Sequence, residues 1–270
     1  MSFIQENKLV INIGLNKEYK LIHFSDVHLI TFDETSLKEE VEKAIKQEEA
    51  WYNVRVDFAR HFNEYYSNEH LIPSKECLDK LIEYSNLHNP DCVLMSGDII
   101  DYYSESNLNY LKESLHNLNC NYLFCCGNHD NEECYDVLSN NNREFNYIDF
   151  EEFLVISIDN SNKKFSINQL NKLKELVNLN KPIILLMHIP VVTEYNQEEM
   201  KKFDSYFVID QNNCDNVTKK FINYICGNEN IKVILCGHVH GTHQSYFGKS
   251  KIQICASSGL IGYVNNITLK

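Results

Sequence analysis

The 270-residue sequence has no long apolar run, no excess of basic residues and no C-x-x-C pair. A membrane-spanning helix needs about 20 consecutive apolar residues, and no segment of the sequence approaches that length. Lys and Arg number 25 against 38 Asp and Glu, which gives a net charge of −13. Because nucleic acids and anionic membranes attract positively charged protein surfaces, we expect neither as a partner.

The sequence also lacks the features of an exported protein. Its first residues show no basic region followed by an apolar core, so we expect a cytoplasmic protein. Ten cysteines are spread along the chain without the paired spacing of a redox or zinc motif. Several stand inside apolar runs, where cysteine behaves as a small hydrophobic residue. We therefore expect reduced thiols rather than disulfides.

Short apolar runs recur along the chain, and helical patterns lie between them. Runs such as Cys92–Met95 and residues 183–187 are typical of strands that are buried on both faces. Strands alternating with helices indicate an α/β domain. No internal repeat, low-complexity tract or flexible linker divides the chain. We therefore expect a single domain over residues 1–270.

One segment, at about residues 32–73, interrupts this alternation and is predicted to be a helical insertion. Apolar residues recur there at helical spacing over residues 37–65, after the capping-box pattern Ser36-x-x-Glu39. The insertion could lie over the functional face of the domain. Its aromatic stripe is nevertheless interpreted as part of the core, and its members are Trp51, Phe58, Phe62 and Tyr65.

Polar residues of a restricted kind follow the apolar runs. Aspartate, asparagine and histidine occur directly after five of them, beside glycine or another turn-forming residue. These residues are Asp26, His28, Asp98, Asp101, Asn128, His129, Asp130, His188, His238 and His240. Ligands bind outside the carboxyl ends of the strands in open α/β sheets. Five strands are therefore expected to bring these groups to one edge.

This set of side chains is typical of a metal site. Imidazole nitrogen and carboxylate or amide oxygen are ligands of hard and borderline divalent ions. A single D-x-H or H-x-H triplet is weak evidence, but five of the eleven histidines follow buried-type strands. The candidates exceed the ligands of one tetrahedral ion, so we expect two ions that share a bridging carboxylate. Such a pair, about 3.5–4 Å apart, polarises a phosphate and generates hydroxide at neutral pH.

The order of the motifs resembles that of the calcineurin-like metallophosphoesterases. The motifs are Asp26-x-His28, Gly97-Asp98-x-x-Asp101, Gly127-Asn128-His129-Asp130, His188 and Gly237-His238-x-His240. The resemblance implies a four-layer α/β/β/α sandwich of two mixed sheets with flanking helices and a dinuclear metal centre. Compact bacterial phosphoesterases are the most similar members. Three positions differ from related subfamilies. Purple acid phosphatases have tyrosine in place of Asp101, and serine/threonine phosphatases have arginine in place of Tyr102. Lipid A pathway hydrolases have arginine in place of His129.

The resemblance also implies a role for each motif residue. Three residues would hold the first ion: Asp26, His28 and His240. Three others would hold the second: Asn128, His188 and His238. Asp98 would bridge the ions, His129 would face the substrate phosphate as a catalytic residue, Asp101 would orient its imidazole, and Asp130 would lie behind them. A carboxylate beside histidine favours the imidazolium, which can protonate a leaving oxygen or stabilise charge on the phosphoryl group.

The sequence therefore predicts a metal-dependent hydrolase of a phosphodiester or phosphomonoester, belonging to a small molecule or a nucleotide. It would use a hydroxide that bridges two divalent or trivalent ions, drawn from manganese, iron, zinc, nickel and cobalt. One alternative is a nuclease of the same family, which the acidic charge disfavours. The other is a catalytically silent metal-binding scaffold, which is expected to lack ligands. The motifs carry no information on oligomeric state.

Two further features are interpreted as structural. His243 is assigned to a solvated loop rather than to the substrate site. The segment Asp159-Asn160-Ser161, at the end of another strand, could support the site but is not assigned to it.

Overall fold

A computed structural model of the chain describes residues 3–64, 71–130 and 142–270, so Tyr65 of the predicted aromatic stripe lies outside the described residues. The helices are α1 (Lys38–His61), α2 (Ser74–His88), α3 (Glu105–His116), α4 (Ile167–Val177), α5 (Gln197–Met200) and α6 (Asn216–Gly227). The strands are β1 (Gln5–Ile11), β2 (Tyr19–Phe24), β3 (Cys92–Met95), β4 (Asn121–Phe124), β5 (Phe145–Asp149), β6 (Leu154–Ile158), β7 (Ile183–Leu186), β8 (Val191–Val192), β9 (Ile209–Asp210), β10 (Ile231–Cys236), β11 (His243–Tyr246), β12 (Ile252–Cys255) and β13 (Tyr263–Leu269). Two short 3₁₀ turns cover Ser205–Phe207 and Gly259–Ile261.

The strands form two large mixed sheets. The first has the order β1-β13-β2-β3-β4, and the second has the order β11-β12-β10-β7-β6-β5. Strands β2, β3 and β4 are parallel to one another, as are β6, β7, β10 and β12. Because parallel strands end on the same side of a sheet, the turns that follow them lie side by side.

Three hydrophobic clusters separate four layers. Leu94 of the first sheet and Leu235 of the second belong to the cluster between the sheets. Helices α2 and α3 cover the other face of the first sheet through residues such as Leu81. Helices α4 and α6 cover the second sheet through residues such as Leu173 and Phe221. The predicted α/β/β/α sandwich of two mixed sheets is confirmed.

Two further observations concern the state of the cysteines and the apolar length of the helices. Every cysteine in the described ranges is a free thiol, and burial raises the pKa of Cys92, Cys125 and Cys236. Among the described helices, none is both long and apolar enough to cross a membrane.

Helix α1 lies within the segment predicted as a helical insertion, but its first turn is shifted by one residue from the predicted capping box. The carboxylate of Glu40, rather than that of Glu39, accepts a hydrogen bond from the Leu37 backbone N–H at 2.7 Å. The hydroxyl of Ser36 lies 2.7 Å from that of Ser106 instead. The predicted capping box of Ser36 and Glu39 is therefore wrong. Ser36 instead hydrogen-bonds to Ser106 in the first turn of α3.

The packing between the sheets can be tested at Leu94, which is fully buried. Replacing it by alanine leaves a cavity, so we expect Leu94→Ala to lower the free energy of unfolding by about 2–5 kcal/mol. Leu87→Ala is the matched control, since Leu87 is 77% exposed on α2 and its loss should change that free energy by about 0.5 kcal/mol or less. Urea unfolding followed by circular dichroism measures both variants. Equal decreases in the free energy of unfolding of the two variants would contradict the position of Leu94 between the two sheets.

Candidate metal centre

The seven predicted metal ligands come together in two adjacent groups. The first group consists of Asp26, His28 and His240. The second group includes Asp98, His188 and His238. In each group the candidate ligand atoms lie within 4.8 Å of one another. Asn128 joins the second group, because its Oδ1 atom is 3.3 Å from Nε2 of His188.

Asp98 lies between the two groups. Its Oδ2 atom is 3.1 Å from Nε2 of His188 in the second group and 3.9 Å from Nε2 of His28 in the first. Its Oδ1 atom accepts a hydrogen bond from the backbone N–H of His129 at 2.8 Å. A single carboxylate thus faces both groups, as a bridging ligand must.

The spacing of the imidazole nitrogens fits a metal ion in each group. Nε2 of His28 is 3.2 Å from Nε2 of His240, and Nδ1 of His238 is 3.1 Å from Nε2 of His188. Nitrogen ligands lie about 2.0–2.1 Å from zinc, so two of them on one ion are separated by about 2.8–3.4 Å at bond angles of about 90–109°. The donor atoms and their separations therefore suit divalent cations.

The backbone of the site is strained. Five of the seven predicted ligands have a left-handed backbone, with φ between 45° and 68°: Asp26, His28, Asp98, His238 and His240. For residues other than glycine, this conformation is sparsely populated and costs on the order of 1–3 kcal/mol each. Strain of this kind concentrates at functional sites, where it aims side chains that a regular strand end would not bring together.

Glycines in the motifs allow the turns to approach closely. A Cβ atom on Gly127 would lie 2.1 Å from Oδ1 of Asp98, and one on Gly237 would lie 1.8 Å from Oγ of Ser25. Both distances are far below a van der Waals contact. A side chain at either position would displace the turn that carries a predicted ligand.

The carboxylate of Asp130 joins two of these turns. Its Oδ2 atom accepts hydrogen bonds from the backbone N–H groups of Asp98 at 2.6 Å and Gly127 at 2.9 Å. Its Oδ1 atom accepts two more from Ile99 at 3.0 Å and Ile100 at 3.1 Å. Burial and the charge of Asp98 raise the pKa of Asp130 to about 7, although the backbone donors lower it. Asp130 therefore fixes the turn after β3 against the turn after β4.

Asp101 connects three rings through one oxygen atom. Its Oδ1 is 3.1 Å from Nδ1 of His28 and 3.2 Å from Nδ1 of His129, and it accepts a hydrogen bond from the Trp51 indole N–H at 2.9 Å. Nδ1 of His129 lies nearer, at 3.0 Å, to the backbone carbonyl oxygen of Asp101. Burial opposes the imidazolium form of His129, but the hydrogen bond to Asp101 and the charge of Asp98 raise the pKa of His129 to about 9. The predicted pairing of His129 with Asp101 is thus present in the structure.

The other buried groups shift one another's ionisation. Burial opposes ionisation of Asp26, but the charge and hydrogen bond of His240 lower the pKa of Asp26 to about 2. Burial likewise opposes the imidazolium of His188, yet Asp98 raises the pKa of His188 to about 9. Burial and the charge of His188 lower the pKa of His238 to about 3. A metal-bound imidazole must be neutral, so His238 and the ionised carboxylates already have the state of ligands, whereas a cation would have to displace a proton from His188.

The aromatic stripe of α1 is not simply core, contrary to the sequence interpretation. The ring of Trp51 stacks on that of His240 with centroids 5.4 Å apart and lies 4.0 Å from that of His28. The ring of Phe58 is 4.9 Å from that of His240. Among the stripe residues that the structure describes, Phe62 packs directly against the hydrophobic core of the second sheet. Helical spacing alone does not distinguish a helix face that covers a functional site from one that packs on a core. The signal for Trp51 was its indole N–H, which requires a polar partner when it is buried.

Asn160 supports the site, as its segment allows, whereas His243 differs from its sequence interpretation. Asn160 accepts hydrogen bonds from the backbone N–H groups of His188 and Ile189, both at 3.0 Å, and so positions the turn that carries His188. Its place directly after a buried strand was the available signal. His243 does not lie in a solvated loop, because it begins β11 and its ring is 5.3 Å from that of Phe203.

Comparison with known proteins identifies the family. The model of the calcineurin-like phosphoesterases matches residues 19–242. The chain belongs to this family. It is therefore a phosphoric ester hydrolase, as its sequence predicts, in a family that depends on dinuclear metal centres. A Coxiella burnetii protein named as a probable cyclic nucleotide phosphodiesterase is 27% identical over 197 residues, which cover 64% of this phosphoesterase and 73% of the relative.

Two solved structures share the fold of this phosphoesterase. A dimetal phosphatase from Danio rerio has a TM-score of 0.54 at 11% identity, over 90% of this chain and 88% of the other. The purple acid phosphatase PPD1 of yellow lupin (Lupinus luteus) has a TM-score of 0.51 at 13% identity, over 92% of this chain and 44% of the other. Both support the layered architecture described above.

The close approach at Gly127 predicts a loss of metal binding on substitution. We expect Gly127→Ala to push Asp98 out of place and to lower the affinity for manganese, used as the probe ion, by at least about 10-fold. Gly227→Ala, at the end of α6, is the control, because a Cβ atom there meets nothing within 4 Å. Calorimetric titration with manganese measures both variants. Unchanged affinity in Gly127→Ala would show that this turn does not set the position of a ligand.

Proposed function

We propose that this phosphoesterase hydrolyses a phosphodiester or phosphomonoester of a small molecule or nucleotide at a dinuclear centre formed by the two groups. The observation that carries the proposal is the position of Asp98, whose Oδ2 faces His188 of one group and His28 of the other. The name of the Coxiella burnetii relative makes cyclic nucleotides the first substrate class to test.

Each group would hold one ion. The first ion would be bound by Asp26, His28 and His240. The second would be bound by Asn128, His188 and His238. Asp98 would contact both. Ions bound in this way polarise a phosphoryl oxygen and lower the pKa of a water molecule. Manganese, iron, zinc, nickel and cobalt all suit this set of nitrogen and oxygen donors.

His129 would act on the substrate rather than on a metal. Its side chain is 34% exposed, whereas those of His28 and His188 are almost completely buried. Because Asp101 holds Nδ1 of His129, the Nε2–H group is the one available to a substrate. We propose that this group hydrogen-bonds to the phosphoryl oxygen and gives its proton to the leaving oxygen.

A substrate panel tests the proposal. Manganese-loaded protein should hydrolyse members of a set of phosphomonoesters, cyclic nucleotides and other diesters, and it should act poorly on DNA because its net charge is −13. Asp98→Ala is the control and should lose more metal by elemental analysis than any other single ligand variant. Activity on none of the small phosphoesters would contradict the proposal. Cleavage of DNA alone, with a steep dependence on salt, would favour a nuclease.

His129→Asn separates catalysis from metal binding. We expect this variant to keep both ions and the fold but to lose assistance to the leaving group, which is worth about 10²–10⁴ in rate. The loss should be largest for alkyl phosphoesters, because an alkoxide needs a proton, and smallest for nitrophenyl phosphoesters. Steady-state kinetics with the two substrate series provide the measurement.

Two results would contradict the role of His129. Loss of metal in His129→Asn would make the residue a ligand, as its place in a third possible cluster with His28 and Asp98 allows. Equal slowing of alkyl and nitrophenyl substrates would exclude proton donation to the leaving group. Asp101→Asn should reproduce the expected pattern more weakly, because it keeps the imidazole and changes only its orientation and charge.

A further inference from the structure

Helix α1 is fixed to the end of the sandwich that carries the site. The carboxylate of Glu48 accepts hydrogen bonds from the backbone N–H and the hydroxyl of Ser74, both at 2.8 Å. The guanidinium of Arg55, which is 1% exposed, donates to the backbone carbonyl of Leu260 at 3.1 Å. These contacts join the middle of the helix to α2 and to the 3₁₀ turn before β13.

The end of α1 is held next to the second histidine of the H-x-H motif. The Glu64 carboxylate accepts hydrogen bonds from the backbone N–H of Thr242 at 2.7 Å and from its hydroxyl at 2.6 Å. The ring of Phe62 packs so closely on Gly241 that a Cβ atom there would lie 2.3 Å from it. The position of α1 over the site is therefore set by specific contacts along its length.

The side chain that α1 brings into the site is Trp51, which is the only tryptophan of the sequence. Its indole N–H can only donate, so the 2.9 Å contact fixes Oδ1 of Asp101 as an acceptor. Nδ1 of His28 and Nδ1 of His129 lie within 3.2 Å of the same oxygen. One oxygen thus joins α1 to a predicted metal ligand and to the predicted proton donor.

We propose that Trp51 is a positioning residue for the hydrolytic reaction and acts through Asp101. The inference rests on the proposed function. The indole holds the carboxylate where it accepts a hydrogen bond from Nδ1 of His28 and lies 3.2 Å from Nδ1 of His129, which also contacts the Asp101 backbone carbonyl oxygen at 3.0 Å. That hydrogen bond leaves the Nε2 lone pair of His28 for a cation, since a neutral imidazole carries one proton. The ring of Trp51 also packs on His28 and His240, which limits the orientations of both imidazoles.

Trp51→Phe tests the hydrogen bond, because it keeps an aromatic ring and removes the N–H group. We expect turnover of alkyl phosphoesters to fall by about 10–100-fold, as for other groups that orient metal ligands, and turnover of nitrophenyl phosphoesters to fall less. Ile45→Ala, at an exposed position of the same helix, is the control and should leave both rates unchanged. Wild-type rates for both substrates in Trp51→Phe would overturn the inference.

A double-mutant cycle with Asp101→Ala separates positioning from general loosening of the helix. If Trp51 acts through Asp101, Trp51→Phe should add little to the loss already caused by Asp101→Ala. Independent effects, in which the two losses in rate multiply, would mean that Trp51 supports only the fold and would overturn the inference. Circular dichroism of each variant verifies that the comparison is between folded proteins.

Tryptophan fluorescence provides a readout that does not depend on activity. Manganese added to the metal-free wild-type protein should change the Trp51 emission, and the change should saturate together with binding measured by equilibrium dialysis. Unchanged emission while manganese binds would overturn the placement of Trp51 against the ligands. Failure of the proposed function looks different, because the wild-type protein would then neither bind manganese nor hydrolyse phosphoesters.

Discussion

One buried carboxylate holds together the turns on which the site depends. Asp130 accepts four backbone hydrogen bonds, from three consecutive residues after β3 and from Gly127 after β4. An unpaired buried donor costs about 1–3 kcal/mol, so these four groups tie the two turns firmly to Asp130. The result is that Asp98, from one turn, accepts a hydrogen bond from the backbone N–H of His129, from the other. His188 and the turn with His238 and His240 follow strands of the second sheet.

The site combines two unfavourable features, which are left-handed backbone at five predicted ligands and ionised carboxylates without solvent. A domain has a net stability of only about 5–15 kcal/mol, so strain at five residues is a large fraction of it. The rigid layers on both sides of each sheet oppose relaxation of the strand ends. A cation that binds only the folded state adds to that stability. We therefore regard the strain as a cost of holding the ligands in place before the cation arrives.

The sequence predicts the strand-end residues well because their position follows from local pattern alone. A continuous apolar run such as Cys92–Met95 marks a buried strand, and the residue after it must lie at the sheet edge. Strand β1 is not predicted because its half-buried positions include the polar residues Gln5 and Asn7, so the sequence shows no alternation of apolar and polar residues there. Strand β13 is not predicted because polar residues such as Asn265 interrupt its apolar pattern. Trp51 is misassigned for a different reason. Its partner Asp101 is 50 residues away, and their contact depends on how α1 docks, which helical periodicity does not contain.

The two sides of the site differ in chemistry, and this difference separates the reaction from the choice of substrate. Asn128 is exposed and His129 is partly exposed, so the turn after β4 forms an open, polar side. Helix α1 adds an aromatic wall, formed by the rings of Trp51 and Phe58 beside His240. The groups proposed to act on phosphorus come from the motifs, whereas this aromatic wall comes from a segment outside them. In the proposed function the phosphate would contact the groups of the motifs, and the rest of a substrate would lie against the aromatic wall. The motifs can therefore identify the reaction, while the substrate depends on surfaces that the motifs do not include.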